Sequence, residues 1–337
     1  MQAQTYFREG IRQIKRKNYR AAIRSFRNAI QYDQNLGEAY LNIGACYERI
    51  GNFEKGIPYF EKAISVDDTN PRLIYLFGAA LGRNNKRKEA VKYLERAVYL
   101  DPKNPDYLYN LGVGYSSITQ YANAAACFEE VSNIVSNNGA IWFNLGLSRL
   151  FLAQTNKAVT AFEKVEIDSP IAPKALYYLA LIEKSKGNCD KAISKIKMSI
   201  ALKPDEIDSQ YLYAMLLGEK GNYKNAINIL EKIYQINDGD MNTLGKKLAI
   251  FYKKWAENAF NLNEYETALH RYNQAEFYLP NDANIQLKIA ECALKVSKDK
   301  IAKQAIKRAR SCAENEFQEG KIAELDKKIK KESVKDK

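Results

Sequence analysis

The chain has 337 residues, 46% of them hydrophobic and 27% charged, proportions that fit a soluble helical protein. No run of 18 apolar residues occurs, which excludes a membrane-spanning helix. Lys and Arg outnumber Asp and Glu by 52 to 40, a net charge of +12, and the single histidine, His270, excludes a two-histidine metal site or a histidine-based nucleophile relay. A 34-residue echo runs along the chain. Gly10, Gly44, Gly78, Gly112 and Gly146 fall at 34-residue steps, and Ala180 and Ala214 continue the series. In phase with them run Ala22, Gly56, Ala90, Ala124, Ala158, Ala192 and Ala226, and then Phe26, Phe60, Leu94, Phe128, Phe162, Ile196 and Leu230. A fixed period of this size marks a solenoid, in which each unit buries its apolar face only by stacking on a neighbour. The chain therefore reads as an interaction surface rather than a catalytic pocket.

In chain order, residues 37–70 show the unit most clearly. Tyr40, Ile43, Gly44 and Tyr47 make one helical stripe, Gly51-Asn52 breaks it, and Ile57, Phe60, Ala63 and Ile64 make a second stripe. Asp67 to Asn70 supply the exit and the next helix cap. Gly44 and Gly56 lack bulk, so the two helix axes approach and Phe60 fills the adjoining space.

This pattern resembles the tetratricopeptide repeat family, whose 34-residue unit keeps small residues at positions 8, 20 and 27 and favours proline at 32. Pro102, Pro170, Pro204 and Pro280 hold that last place, while Asp68 and Ser136 depart from it. The resemblance implies an all-α fold, a right-handed superhelical solenoid of stacked antiparallel helix pairs. Seven repeats are predicted at 3–36, 37–70, 71–104, 105–138, 139–172, 173–206 and 207–240. Residues 241–248 are an insertion that lengthens the next helix to about 242–261, with a discontinuity near Gly239-Asp240; it is as readily a tolerated indel as a hinge. Two further repeats follow at 249–282 and 283–313, making nine, and residues 314–337 form a capping helix with a basic tail, its stripe being Ile322, Leu325 and Ile329.

Charge gathers at the ends. Residues 1–28 carry eight basic groups against Glu9 alone, a net of +7, and residues 295–337 carry +6. Arg8, Arg12, Lys15, Arg16, Arg20 and Arg24 are the candidate basic patch, which suits an anionic membrane, nucleic acid or an acidic protein. A solvated cap explains the same charges, and the polar Glu9 and Gln13 at usual core places of the first repeat favour it. Sparse aromatic interleaving disfavours nucleic acid. Gly112-Val-Gly114 and Gly245-Lys-Lys lack the rest of a nucleotide loop, so no enzyme, cofactor or metal site is expected. The N-terminus lacks the apolar core of a secretory signal, and Cys46, Cys127, Cys189, Cys292 and Cys312 are scattered. A cytoplasmic protein is expected, with peripheral contact at a membrane complex left open.

Function then falls to the groove. The resemblance implies that positions 2, 5, 6, 9, 12 and 13 face the concave side. Position 5 reads Phe7, Leu41, Tyr75, Tyr109, Phe143, Tyr177 and Tyr211, and position 9 reads Ile11, Ala45, Ala79, Val113, Leu147, Leu181 and Met215. Together they predict an apolar strip for an extended peptide or an amphipathic helix, with position 5 facing the groove rather than the core; inter-repeat packing is the competing role for position 5. The strip ends at Lys253 with Glu257 and at Glu291. The carboxylate clamp that family co-chaperones use needs five residues, of which only Asn42 is present. Asn42, Asn110 and Asn144 match the peptide-binding asparagine ladder of O-GlcNAc transferase-like superhelices, while Arg8, Leu76, Tyr178 and Leu212 do not. The expectation is a non-enzymatic scaffold or adaptor that binds a protein partner, with docking through the basic ends as the alternative.

Overall fold

The computed structural model describes residues 1–236 and 241–335. Among these residues every regular element is helical, in the all-α solenoid arrangement that the period implies. The chain divides into two compact units, residues 1–175 and 176–337. In the first, α1 (Gln2–Lys15) pairs with α2 (Tyr19–Tyr32), α3 (Gly37–Arg49) with α4 (Phe53–Val66), and α5 (Pro71–Arg83) with α6 (Arg87–Leu100). Next come α7 (Pro105–Ser117) with α8 (Tyr121–Ile134), and α9 (Gly139–Phe151) with α10 (Thr155–Glu163). The second unit holds most of α11 (Ala172–Ser185), then α12 (Cys189–Leu202), α13 (Ile207–Glu219) and α14 (Tyr223–Ile236). A π-helical turn at Met241–Gly245 leads into α15 (Lys246–Asn261), followed by α16 (Tyr265–Tyr278), α17 (Ala283–Lys295), α18 (Asp299–Cys312) and α19 (Glu316–Lys335). The discontinuity expected at Gly239-Asp240 lies outside the described residues.

One contact recurs inside the pairs. The Phe26, Phe60, Phe128 and Phe162 rings are 0–2% exposed, each lying flat over the glycine of the facing helix. A β-carbon added at Gly10, Gly44, Gly112 or Gly146 would sit 2.5–2.8 Å from that ring. Ile196 and Leu230 face Ala180 and Ala214 instead, whereas Leu94 faces Gly78, where an added carbon would sit 3.1 Å from it. At Gly56 the added carbon would lie 2.8 Å from the Gly44 carbonyl, which is the close axis approach that the small residues permit.

The turns repeat as well. One residue with positive φ sits between the helices of each pair: Lys17, Gly51, Asn85, Thr119, Ala153, Gly187, Gly221, Asn263 and Ser297. They are spaced by 34 residues, except for 42 between Gly221 and Asn263, which accommodates residues 241–248. The backbone closes each turn in the same way; Asn52 N–H donates to the Tyr47 carbonyl at 2.9 Å and Lys86 N–H to that of Leu81 at 3.0 Å. Helix starts are fixed by Asn70, Asn104 and Asn138, whose side chains accept from the backbone two residues on at 3.0–3.2 Å.

Two departures from the repeat matter later. Helix α10 has nine residues where α2, α4, α6 and α8 each have fourteen, ending at Glu163 with Lys164 as its cap. In the second unit, α19 lays Ile322, Leu325 and Ile329, all at most 4% exposed, on α17 and α18. Leu244 and Leu248, from the inserted segment, are buried in the same core.

Two outcomes test this packing. Gly146→Ala gains helix propensity yet forces a carbon into the Phe162 ring, so it is expected to destabilise by about 1–3 kcal/mol, and Phe162→Leu added to it should recover part of the loss. A denaturation midpoint raised by Gly146→Ala alone would contradict the contact. Thr119 holds φ of +64° with a branched side chain, so Thr119→Gly should raise stability by up to about 1 kcal/mol; an equal loss would show that its turn is not strained.

Candidate functional site: the first-helix face

In the first unit, the exposed sides of α1, α3, α5 and α7 carry two neighbouring clefts. The first, of about 380 Å³, has Phe7, Ile11, Leu41, Ala45 and Leu76 as its apolar lining. The second, of about 370 Å³, is lined by Ala79, Gly82, Leu94, Val113 and Gly114, with Asn110 at its side. It exists because its residues are small: a β-carbon at Gly82 would meet only the Ala90 methyl, at 3.8 Å. Arg83 lines both clefts.

The wall between them is held rigidly. Glu48 on α3 receives Arg83 in a two-pronged pair, Nε to Oε1 at 2.8 Å and an η-nitrogen to Oε2 at 2.9 Å, and Asn84 Nδ2 adds a third bond at 3.1 Å. This fork holds Arg83 above its ordinary pKa and fixes the guanidinium plane. Arg72 and Glu38 pair at 2.9 Å across the same two helices. None of these ion pairs is apparent from the period.

The expected groove residues divide by position. At position 9, Ile11, Ala45, Ala79 and Leu147 are half-buried and Val113 is 42% exposed, so this row leaves apolar surface open to solvent. Position 5 is different, and the expectation that it faces the groove rather than the core is corrected. Leu41 and Phe143 are buried. The rings of Phe7, Tyr109 and Phe143 lie 5.5–5.8 Å from those of Phe26, Phe128 and Phe162, the same rings that rest on the glycines. Tyr75 packs on Tyr107 at 4.6 Å, and burial raises its hydroxyl pKa. These side chains floor the groove only by also completing the core.

The asparagines are oriented by what they already bind. Asn42 Nδ2 donates to the Glu38 carbonyl at 2.7 Å, and Asn110 Nδ2 donates to the Asp106 carbonyl at 2.8 Å and to the Tyr75 hydroxyl at 3.0 Å. Asn144 Nδ2 repeats the last contact on Tyr109, at 3.0 Å. A backbone carbonyl can only accept, so the amide nitrogens of Asn42 and Asn110 must point inward, leaving each Oδ1 to accept from a ligand N–H. The partial ladder therefore offers acceptors, and the tyrosine at position 5 of one repeat orients the asparagine of the next.

In the second unit, Tyr177 and Leu181 are half-buried against the core of α11–α13, and Tyr211 and Met215 against that of α13–α19. Further on, Glu291 is occupied by Lys288 at 2.6 Å and Lys321 at 3.8 Å, and Leu287 is buried. At the N-terminus, Arg8, Arg12, Lys15, Arg16, Arg20 and Arg24 are all exposed and none of them lines either cleft. Arg12 pairs with Glu9 at 2.6 Å, and Glu9 also accepts from Gln13 at 2.6 Å, so the polar residues at core places of the first pair satisfy one another. Burial pushes the thiols of Cys46 and Cys127 up to about 11 and that of Cys292 up to about 12, keeping them neutral and inert. No group of three metal-ligating side chains occurs among the described residues, and no helix there is long and apolar enough to cross a membrane.

Models of the tetratricopeptide repeat match residues 37–70, 71–104, 143–207 and 207–240. No curated protein matches the sequence. Among solved structures, PilF of Pseudomonas aeruginosa is 19% identical, with a TM-score of 0.52 over 63% of this chain and 97% of that one. PilW, a type IV pilus biogenesis factor, is also 19% identical, with a TM-score of 0.51 over 62% of this chain and 96% of that one. At that identity the likeness is one of fold. With the period, the glycine–ring contact and these matches in agreement, the chain belongs to the tetratricopeptide repeat family.

Proposed function

We propose that this chain is a non-catalytic adaptor that binds a peptide or helical segment of a protein partner on its first-helix face. The observation that carries this reading is the pair of adjacent clefts joined at Arg83. Each can take one bulky apolar side chain, and between them stands a rigid guanidinium rather than a mobile one. Beside the clefts, the Oδ1 atoms of Asn42 and Asn110 can accept ligand N–H groups, so a segment gains both apolar anchors and main-chain bonds. Leu147 continues the apolar row, and Tyr177, Leu181, Tyr211 and Met215 supply a like surface in the second unit.

Gly82→Leu tests this directly, because the added side chain enters the second cleft and its β-carbon makes only an ordinary contact with the Ala90 methyl. A peptide selected from a random displayed library on the wild-type protein should bind this variant at least about tenfold more weakly, a loss of about 1.4 kcal/mol. Stability should be unchanged or higher, since leucine outranks glycine in a helix by up to about 1 kcal/mol. Tyr99→Ser, at an 84% exposed place on α6, is the control that should bind normally. Unchanged affinity in both Gly82→Leu and Val113→Arg would move the site elsewhere. Salt-sensitive retention on anionic vesicles, abolished by reversing Arg16, Arg20 and Arg24, would favour the basic end.

A further inference from the structure

A cleft lies beside the early end of α10. It has a volume of about 450 Å³ and lies between α8, α9 and α10. Its floor is Trp142, Leu145 and Ala161, and its rim carries Arg149, Lys157 and Lys164 against the single acid Glu129. On α9 these residues occupy the stripe 142, 145, 149, about half a helical turn from the groove residues Phe143, Asn144 and Leu147. The cleft is therefore a separate place from the first-helix face.

Its chemistry is one-sided. Arg149 pairs with Glu129 and also donates to Gln154 Oε1 at 2.6 Å, so the acid is already neutralised. Lys164 Nζ stands 4.0 Å from the centre of the half-buried Trp142 ring, held there because the helix stops one residue before it. The indole N–H is spent on the Ser136 carbonyl at 2.7 Å, which orients the ring beneath Lys164. Among the described residues neither Lys157 nor Lys164 has a carboxylate within ion-pair reach. Two ammonium groups without a carboxylate, one of them resting on the Trp142 ring, beside an aliphatic floor suit an anion and an apolar group placed side by side.

We propose that this cleft is a second binding site, for an acidic peptide segment of a partner protein that carries an aromatic or aliphatic residue beside its carboxylates. The carboxylates accept from Lys157 and Lys164, and the apolar side chain covers Trp142 and Leu145. The volume lies within the range of pockets that enclose a small ligand, so two or three side chains fill it.

The protein has two tryptophans, so Trp255→Phe leaves Trp142 as the only indole and makes its emission the reporter. The probe is acetyl-Glu-Phe-Glu-Glu-Phe-Glu-amide, titrated beside its Lys-for-Glu counterpart. A saturable change with the acidic peptide alone is expected, weakened at least about tenfold by Lys157→Glu with Lys164→Glu and left intact by Gly82→Leu. In the unsubstituted lysine background, raising salt from about 50 to about 500 mM should also weaken it several-fold, which keeps the test decisive should the double variant fold poorly. The proposal is overturned by no saturable response at millimolar acidic peptide, by equal binding of the basic peptide, or by indifference to both charge reversal and salt. Loss of binding in Gly82→Leu would assign the peptide to the groove instead. Tighter binding of a short single-stranded oligonucleotide, stacking on the indole, would reassign the cleft to nucleic acid.

Discussion

The contact between a residue with little or no side chain on the first helix and a large one on the second governs everything else in this molecule. Its geometry sets the distance between paired helices, because the Phe26, Phe60, Phe128 and Phe162 rings rest directly on glycine backbone. A repeat array gains stability from each pair and from each neighbour interface, so an error of a few tenths of an ångström in one pair would be handed to the next. A small residue facing a large one recurs in the pairs and limits such an error: a ring or Leu94 with glycine, Ile196 with Ala180, Leu230 with Ala214.

The same contact ties the binding face to the core. Because the rings of Phe7, Tyr109 and Phe143 lie against those that cover the glycines, the groove floor is the outer layer of the pair. Tyr75 and Tyr109 then orient Asn110 and Asn144 on the following repeat, which carries the order of the core out to the groove acceptors. A floor built this way is pre-organised, and a ligand spends little free energy in ordering it. The cost is that groove and stability cannot be varied independently at position 5, whereas Ala79, Gly82 and Val113 can change with little effect on the pair beneath. On the proposed function, specificity would be more readily tuned at position 9 and at the small residues of the second cleft.

Much of this was legible in the sequence because a solenoid repeats its burial. The lattice of Gly10 to Gly146 and Phe26 to Phe162 gives the pair, its size matching and its neighbours from spacing alone. What escaped is what does not repeat. Lys17, Thr119, Ala153 and Ser297 take the left-handed turn conformation with no glycine to announce it, since the turn is imposed by the helices it joins. The fork of Arg83 on Glu48 joins residues 35 apart that vary from repeat to repeat. The aromatic row at position 5 read as groove because periodicity identifies a face of a helix, whereas a large ring can reach from that face into the core. The early end of α10 had a faint signal in Pro170 and Pro173, several residues after the actual stop.

Departures from a repeat are where an array can acquire individual chemistry, because the repeated positions are already committed to packing. In the first unit the departures fall on two sides of α9 and its neighbours. On one side, Gly82 and Gly114 leave a recess beside Asn110; on the other, the shortened α10 exposes Trp142 and places Lys164 over it. The first recess is lined by small residues together with Arg83, which is closed in an ion pair with Glu48, and Arg87, which reaches the Ser117 carbonyl at 3.4 Å. The second holds two ammonium groups with no carboxylate partner among the described residues, one of them resting on the Trp142 ring. On the proposals made above, two such faces would hold two segments at once, at a distance set by the helix pairs between them.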